Sequence, residues 1–321
     1  MTTPLAPVSL DDVARARERI AAIALRTPLV RLAAEGRHDI HLKLECLQPI
    51  GSFKLRGAAN AMALAGREAF ARGVYTASAG NMAQGVAWCA REFGVRCQVV
   101  VPDHAPAAKT EAIARLGGEA IKVPFPEWWK ALVDHGYPGI EGLFVHPFAD
   151  SAVMAGNGTI ALEIVEDLPD VDVVLVPYGG GGLACGIAAV LRETSPHVRV
   201  YAVETETASP LTQALATGAP VPVTYTRTFI DGMGSGGVAQ EMWEMARTLL
   251  AGTVVVSVAQ VAAAVRMLAT RAHVVAEGAG AAALAAALTH EFEGRRVACI
   301  VSGGNIDPHR LATILQGGIP E

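Results

Sequence analysis

Short runs of β-branched and apolar residues alternate along most of the chain with segments whose apolar positions recur every three or four residues. Residues 73–78 (GVYTAS) read as a strand, 81–94 (NMAQGVAWCAREFG) as a helix and 95–102 (VRCQVVVP) as a strand. Residues 106–118 then read as a helix and 119–124 (EAIKVP) as a strand. A β-α-β-α-β order with short turns predicts parallel pairing through right-handed crossovers. A second series follows from about residue 150, with strands at 171–177, 198–204, 253–258 and 295–302. Ser257 and Gln260 form a capping box, and Asp307-Pro308 places a cap and then a proline at the first helical position. The fold class expected is α/β, with two open parallel sheets in two units: 1–68 with 147–321 as the larger, and 69–146 as the smaller. The join near 146–159 (HPFADSAVMAGNGT) reads as a hinge.

About half of the 321 residues are apolar, enough for a sizeable core, and the net charge is only −5 with no basic tract. Nucleic acid and anionic membrane surfaces are therefore poor partners. The start has no positive segment followed by an apolar run, so it does not read as a signal peptide. The most apolar stretches are broken by Pro177, Gly179 to Gly182 and Glu277, and read as soluble core. The five cysteines make no C-x-x-C pair, which suits reduced, packed thiols in a cytoplasmic protein and argues against a cysteine-held metal.

Open α/β sheets bind ligands beyond the carboxyl ends of their strands. Three segments end strands there, "ASAGN", "PYGGGGLACG" and "SGGN", and Lys54 stands just before a helix in "PIGSFKLRGA". Gly179 to Gly182 let main-chain N–H groups approach an anion where a helix begins, although a flexible turn is the plainer reading. No Gly-Lys-Ser/Thr follows, and the dinucleotide pattern fits imperfectly, with Glu204 as its sole acidic candidate; a nucleotide-binding protein stays as a weaker alternative. A lysine between Phe53 and Leu55 with a phosphate cradle elsewhere suits pyridoxal phosphate, since a Schiff-base lysine needs apolar or cationic surroundings to lower its pKa.

These segments together are similar to the fold-type II pyridoxal-phosphate enzymes (tryptophan synthase beta-like), in the branch of threonine/serine dehydratases and serine racemases. "GSFKLRGA", "SAGNMAQGVA", "VPYGGGGLACGIA", "AEGAGAAALAA" and "VSGGN" occur in the family's order, over nearly the whole chain. The resemblance implies that Lys54 holds the cofactor aldehyde and moves the α-proton, while Phe53 lies against the ring. It implies that Gly179, Gly180, Gly181, Gly182 and Leu183 hold the phosphate, Asn81 the ring hydroxyl and Ser302 the ring nitrogen. Ser78, Ala79, Gly80 and Asn81 would hold the substrate carboxylate, with Ser78 also a catalytic candidate, and Glu277 would sit near the cofactor. A hydroxyl such as that of Ser302 cannot keep the ring nitrogen protonated, which favours elimination over transamination. The implied activity is a β-hydroxy amino acid dehydratase acting on L-threonine or L-serine, giving a 2-oxo acid and ammonia. A cytoplasmic homodimer without feedback regulation by isoleucine is implied as well.

Each residue also has a plainer role: Ser302 and Asn305 in turn hydrogen bonds, Ser78 as a helix cap, Asp231 in a turn and His146 in the core. Four departures refine the expectation. Met82 stands where many relatives carry histidine, making that side of the carboxylate site apolar. Ala79 stands where serine racemases carry the second base, which argues against racemisation. Glu204 and Ala208 match two ligands of metal-activated relatives, but Pro210 replaces the third, so no metal site is expected. Trp128 and Trp129 fall near the expected substrate side; one of them lining a pocket would favour a bulky aryl-serine, and both packing the surface would not.

Overall fold

The computed structural model describes residues 5–33, 39–289, 292 and 294–320. Its elements follow one another as α1 (Leu10–Ile20), β1 (Leu29–Leu32), β2 (Asp39–Lys43), α2 (Lys54–Ala69), β3 (Val74–Ala77) and α3 (Asn81–Phe93). Next come β4 (Cys97–Pro102), α4 (Ala107–Arg115), β5 (Gly118–Val123), α5 (Phe125–Val133), β6 (Leu143–Phe144) and α6 (Ser151–Asp167). The remainder is β7 (Val173–Pro177), α7 (Gly182–Thr194), β8 (Arg199–Thr205), α8 (Pro210–Thr217), α9 (Gln240–Leu249), β9 (Gly252–Val256), α10 (Val258–Met267), α11 (Gly278–Ala287), β10 (Arg296–Ile300) and α12 (Pro308–Leu315).

Two sheets result. The larger has the order β1-β2-β10-β7-β8-β9 and the smaller β5-β4-β3-β6. Every pairing is parallel except β1 with β2, which is antiparallel. β1 and β6 escape the sequence pattern because they are only four and two residues long, and β2 because Asp39, His41 and Lys43 alternate with its two apolar residues; an antiparallel edge strand on a parallel sheet is a common variation.

All five residues of β7 are buried, as a central parallel strand with both faces covered requires. On one face of the large sheet, α1, α6, α7 and α9 pack around Val174, Val176, Ile187 and Met242. On the other, α10 and α11 enclose Leu175, Val203, Val265 and Leu284. α11 (GAGAAALAAA) is buried along its whole length, which small side chains alone allow in so crowded a layer. The small sheet lies between α2 and α3 on one side and α5 on the other.

The capping signals hold in detail. Ser257 and Gln260 form a reciprocal box on α10, and Asp307 accepts from His309 N and Arg310 N on α12. α8 is capped from a neighbouring strand. Ser209 occupies the cap position without a side-chain bond, and Glu204 of β8 accepts from Leu211 N, Thr212 N and Thr212 Oγ1 at 2.8, 2.8 and 2.6 Å instead.

Behind the start of α2 lies a buried charge network. Arg56 donates to Glu45 through Nε and Nη2 (2.8 Å each) and to Glu163 through Nη1 and Nη2 (2.7 and 2.9 Å). Lys43 Nζ reaches Glu163 at 2.5 Å, and Thr27 Oγ1 reaches Glu45 at 2.6 Å. Two cations meet two carboxylates, so the cluster is neutral, and it pins α2 to β2 and α6.

Candidate active site

Lys54 opens α2, and its half-buried amine donates to the carbonyl oxygen of Pro147 at 2.5 Å. Phe53 lies beside it, with the ring centre 5.1 Å from Nζ. Burial pushes the amine down to about 8, within reach of the neutral, nucleophilic form near neutral pH.

The turn after β6 connects this lysine to the glycine loop. His146 is buried, and its Nδ1 accepts from Phe148 N and Ala149 N (3.3 and 2.8 Å), which leaves Nε2 to donate to Leu132 O. Burial, with His135 stacked 4.4 Å away, pushes the imidazole down to about 3 and keeps it neutral. His146 is thus a core histidine, as expected, and it shapes the turn. That turn aims Pro147 O at Lys54 and lays Phe148 under the loop. A side chain at Gly180 would run into the Phe148 ring, and one at Gly182 into the Phe148 backbone. Gly181 has φ +90° and caps α7, a conformation that glycine adopts without strain. Leu183 is buried behind it.

On the other side, Ser302 O accepts from Phe53 N at 3.0 Å, and Gly303 forms an antiparallel bridge with Ser52. The end of β10 is therefore tied to the residues just before Lys54. Asn81, the first residue of α3, donates from Nδ2 to Glu277 at 2.7 Å and accepts on Oδ1 from Asn305 at 2.8 Å. Gly303 sits so close to this pair that a Cβ there would collide with the Glu277 carboxylate. Burial raises Glu277 to about 7, the Asn81 bond working against the rise and the Asp231 charge adding to it. Ser78, half-buried, accepts from Gly80 N at 3.2 Å, so it shapes the turn into α3 and does not bond the helix itself.

Lys54, Phe53, Asn81, Gly179 to Gly182, Glu277 and Ser302 are thus brought to one place. Three residues singled out in the sequence are not. Met82 is 1% exposed within the apolar cluster of α2 and α3, and so offers almost no surface to a ligand. Trp128 packs against Ala77, Val100, Val123, Ala131 and Leu132, and Trp129 is 48% exposed. Phe125, Trp128, Trp129 and Leu132 recur at i, i+3, i+4 and i+7 and so share one face of α5; Trp128 and Leu132 meet the small sheet, and Phe125 and Trp129 lie at the exposed edge of that face.

Two ion pairs nearby join elements that are distant in the sequence. Lys109 of α4 pairs with Asp231 at 2.7 Å, so Asp231, which lies in a turn as expected, is also an ion-pair partner joining α4 to the loop before α9. His135 likewise meets Glu241 of α9 at 3.1 Å. Together with His146 these are the one grouping of metal-type ligands among the described residues, and both His146 nitrogens are already engaged. All five cysteines are buried and free.

The pattern of the family described as "Pyridoxal-phosphate dependent enzyme" matches residues 20–303. The chain belongs to this family. It is 38% identical over 318 residues to an L-threonine ammonia-lyase of Thermotoga maritima, covering 97% of this chain and 79% of that one. A second L-threonine ammonia-lyase, from Geobacter sulfurreducens, is 42% identical over 285 residues, covering 87% and 70%. Among solved structures, a maize serine racemase superposes with a TM-score of 0.89 at 30% identity, covering 97% of this chain and 98% of that one.

This group of residues fits the family's cofactor on its own terms. It has a lysine of lowered pKa, a run of glycines that no side chain could replace at Gly180 or Gly182, and a buried Tyr178 hydroxyl without a partner among the described residues. Lys54 and Phe53 would hold the aldehyde end, Gly179 to Leu183 the phosphate, and Asn81 and Ser302 the polar edge of the ring.

Proposed function

We propose that this chain is a pyridoxal-phosphate-dependent ammonia-lyase that dehydrates L-threonine, and L-serine as a second substrate, to a 2-oxo acid and ammonia. One observation carries the reading. The Lys54 amine rests on Pro147 O, next to the Phe148 that floors the glycine loop, so a base stands within a residue's length of a phosphate cradle. When bound, pyridoxal phosphate draws electrons from the substrate's α-carbon and acidifies its hydrogen.

The chain's own groups then have distinct tasks. Lys54, neutral above about pH 8, takes the α-proton. The start of α3, from Ser78 to Asn81, presents N–H groups and a favourable dipole to the substrate carboxylate. Asn81 is held in place by Glu277 and Asn305. The β-hydroxyl leaves with a proton as water, and a second water then releases ammonia and the oxo acid.

Racemisation needs a proton donor on the opposite face of the α-carbon. Ala79 has no titratable atom, which supports elimination despite the close superposition on a racemase. The positions of Trp128 and Trp129 support the smaller substrates over an aryl-serine. The division into 1–68 with 147–321 and 69–146 belongs to the proposal. Its support is that β3, β4, β5 and β6 form their own sheet, with Lys109–Asp231 and His135–Glu241 bridging to the rest. A cytoplasmic homodimer completes it; the buried free cysteines suit a reducing compartment, and sedimentation would settle the assembly.

The test is ammonia and 2-oxo acid release from L-threonine, L-serine, D-serine and L-threo-phenylserine. L-Threonine should be turned over fastest. Change of configuration without ammonia release, or preference for phenylserine, would overturn the substrate assignment.

A further inference from the structure

Tyr178 follows β7 and directly precedes the glycine loop. Its ring is 2% exposed, packed in the cluster of Val176, Leu183 and Cys185 beneath α7. Its hydroxyl is fully buried and makes no hydrogen bond among the described residues. A Cβ built on Gly181 would lie 2.9 Å from that hydroxyl and 3.1 Å from the ring carbons Cε2 and Cζ, so the O–H sits at the corner where the loop turns into α7. Glu204 is the nearby carboxylate, but it is occupied by three donors of α8 and accepts nothing from Tyr178.

A buried hydroxyl left unpaired is unfavourable, and phenylalanine would fill the same space without that cost. The α7 amino terminus and an orphaned donor beside it both point to an anion. We infer that Tyr178 is a further phosphate ligand, its hydroxyl donating to the anion that the main-chain N–H groups of the glycine loop hold. Burial keeps the phenol well above its ordinary pKa, so it stays a donor throughout the working range. The inference rests on the glycine loop being the cofactor's phosphate site, and it deepens that reading: the grip on the phosphate includes a side chain as well as backbone.

The experiment compares the full-length apo-protein with its Tyr178→Phe variant, measuring affinity for pyridoxal phosphate, inorganic phosphate and pyridoxal by absorbance or thermal shift. Loss of one charge-assisted donor should weaken pyridoxal phosphate by roughly 10- to 100-fold. Inorganic phosphate should weaken as well, pyridoxal should not, and the melting temperature of apo Tyr178→Phe should be no lower than the parent's. The ³¹P resonance of the bound phosphate should also move in the variant. Unchanged affinity for pyridoxal phosphate, or an equal loss for pyridoxal, would overturn the role of Tyr178 alone. A parent protein that binds neither pyridoxal phosphate nor phosphate would overturn the loop assignment and this inference with it.

Discussion

Replacing Arg56 with methionine removes one cation from a buried, neutral group of four charges. Arg56 is 2% exposed and makes four bonds of 2.7–2.9 Å to Glu45 and Glu163, with two more at 3.0 Å to Thr159 Oγ1 and Leu25 O. Methionine keeps much of the volume but leaves two carboxylates facing Lys43 alone. Removing one partner of a buried pair costs about 3–5 kcal/mol, because the remaining charge has no solvent to turn to. At about 2–4 °C per kcal/mol for sizeable domains, the apo-protein should melt roughly 6–20 °C lower at pH 7. Burial pushes Glu45 up, but the Arg56 charge and the bonds from Arg56 and Thr27 outweigh it and hold the group below the ordinary carboxylate range. In the parent, that stabilisation is present above the unfolded pKa and is lost as pH falls through the folded one. In the variant the stranded carboxylate titrates upward, so the deficit should shrink as the solution is acidified. Calorimetry of Arg56→Met and of the charge-balanced Arg56→Met/Glu45→Met pair tests both halves. The double variant should recover most of the loss. A single variant melting with the parent, or a double variant no better than the single, would show that charge balance does not hold this site together.

Burial of Lys54 sets the pH dependence of cofactor uptake. Uptake by apo-protein should rise with pH and level off near 8, in stopped-flow absorbance, whereas a rise continuing to about 10.4 would mark a solvated lysine. Glu277, raised to about 7, binds its proton more tightly folded than unfolded, so its stabilisation is complete below the unfolded value and is lost as pH climbs through 7. Glu277→Gln should therefore lose less stability than the parent between about pH 5 and 8, and parallel melting profiles would contradict this. Trp129→Ala should stay within about 0.5 kcal/mol of the parent, while Trp128→Ala should cost about 2–3 kcal/mol. Neither substitution should change the order in which L-threonine and phenylserine are used.

The parallel α/β plan was legible because buried strands such as β4 and β7 carry unbroken apolar runs (VVVP and VVLVP) and lie between periodic helices. Lys54 and the glycine loop stood out because their chemistry constrains local sequence: a lysine among apolar residues, and glycines where only a backbone fits; Asn81 itself was singled out through the family resemblance alone. Residues whose roles depend on distant partners did not stand out. Lys43 looks like any strand lysine until Glu163 is found 120 positions away. Asp231 reads as a turn residue, correctly, but its pairing with Lys109 appears only once α4 is packed against that turn. His146 reads as core, correctly, but its grip on the Phe148 and Ala149 amides needs the folded turn. Met82 followed Asn81 in a motif, yet at the start of a helix the next residue points about 100° away, into the core.

The most direct test of the central assignment is to incubate the protein with pyridoxal phosphate, reduce with borohydride and map the labelled peptide by mass spectrometry. The account predicts one phosphopyridoxyl adduct, on Lys54, absent from Lys54→Ala and lost from the parent when L-threonine is added before reduction. An adduct on another lysine, or none at all, would contradict it.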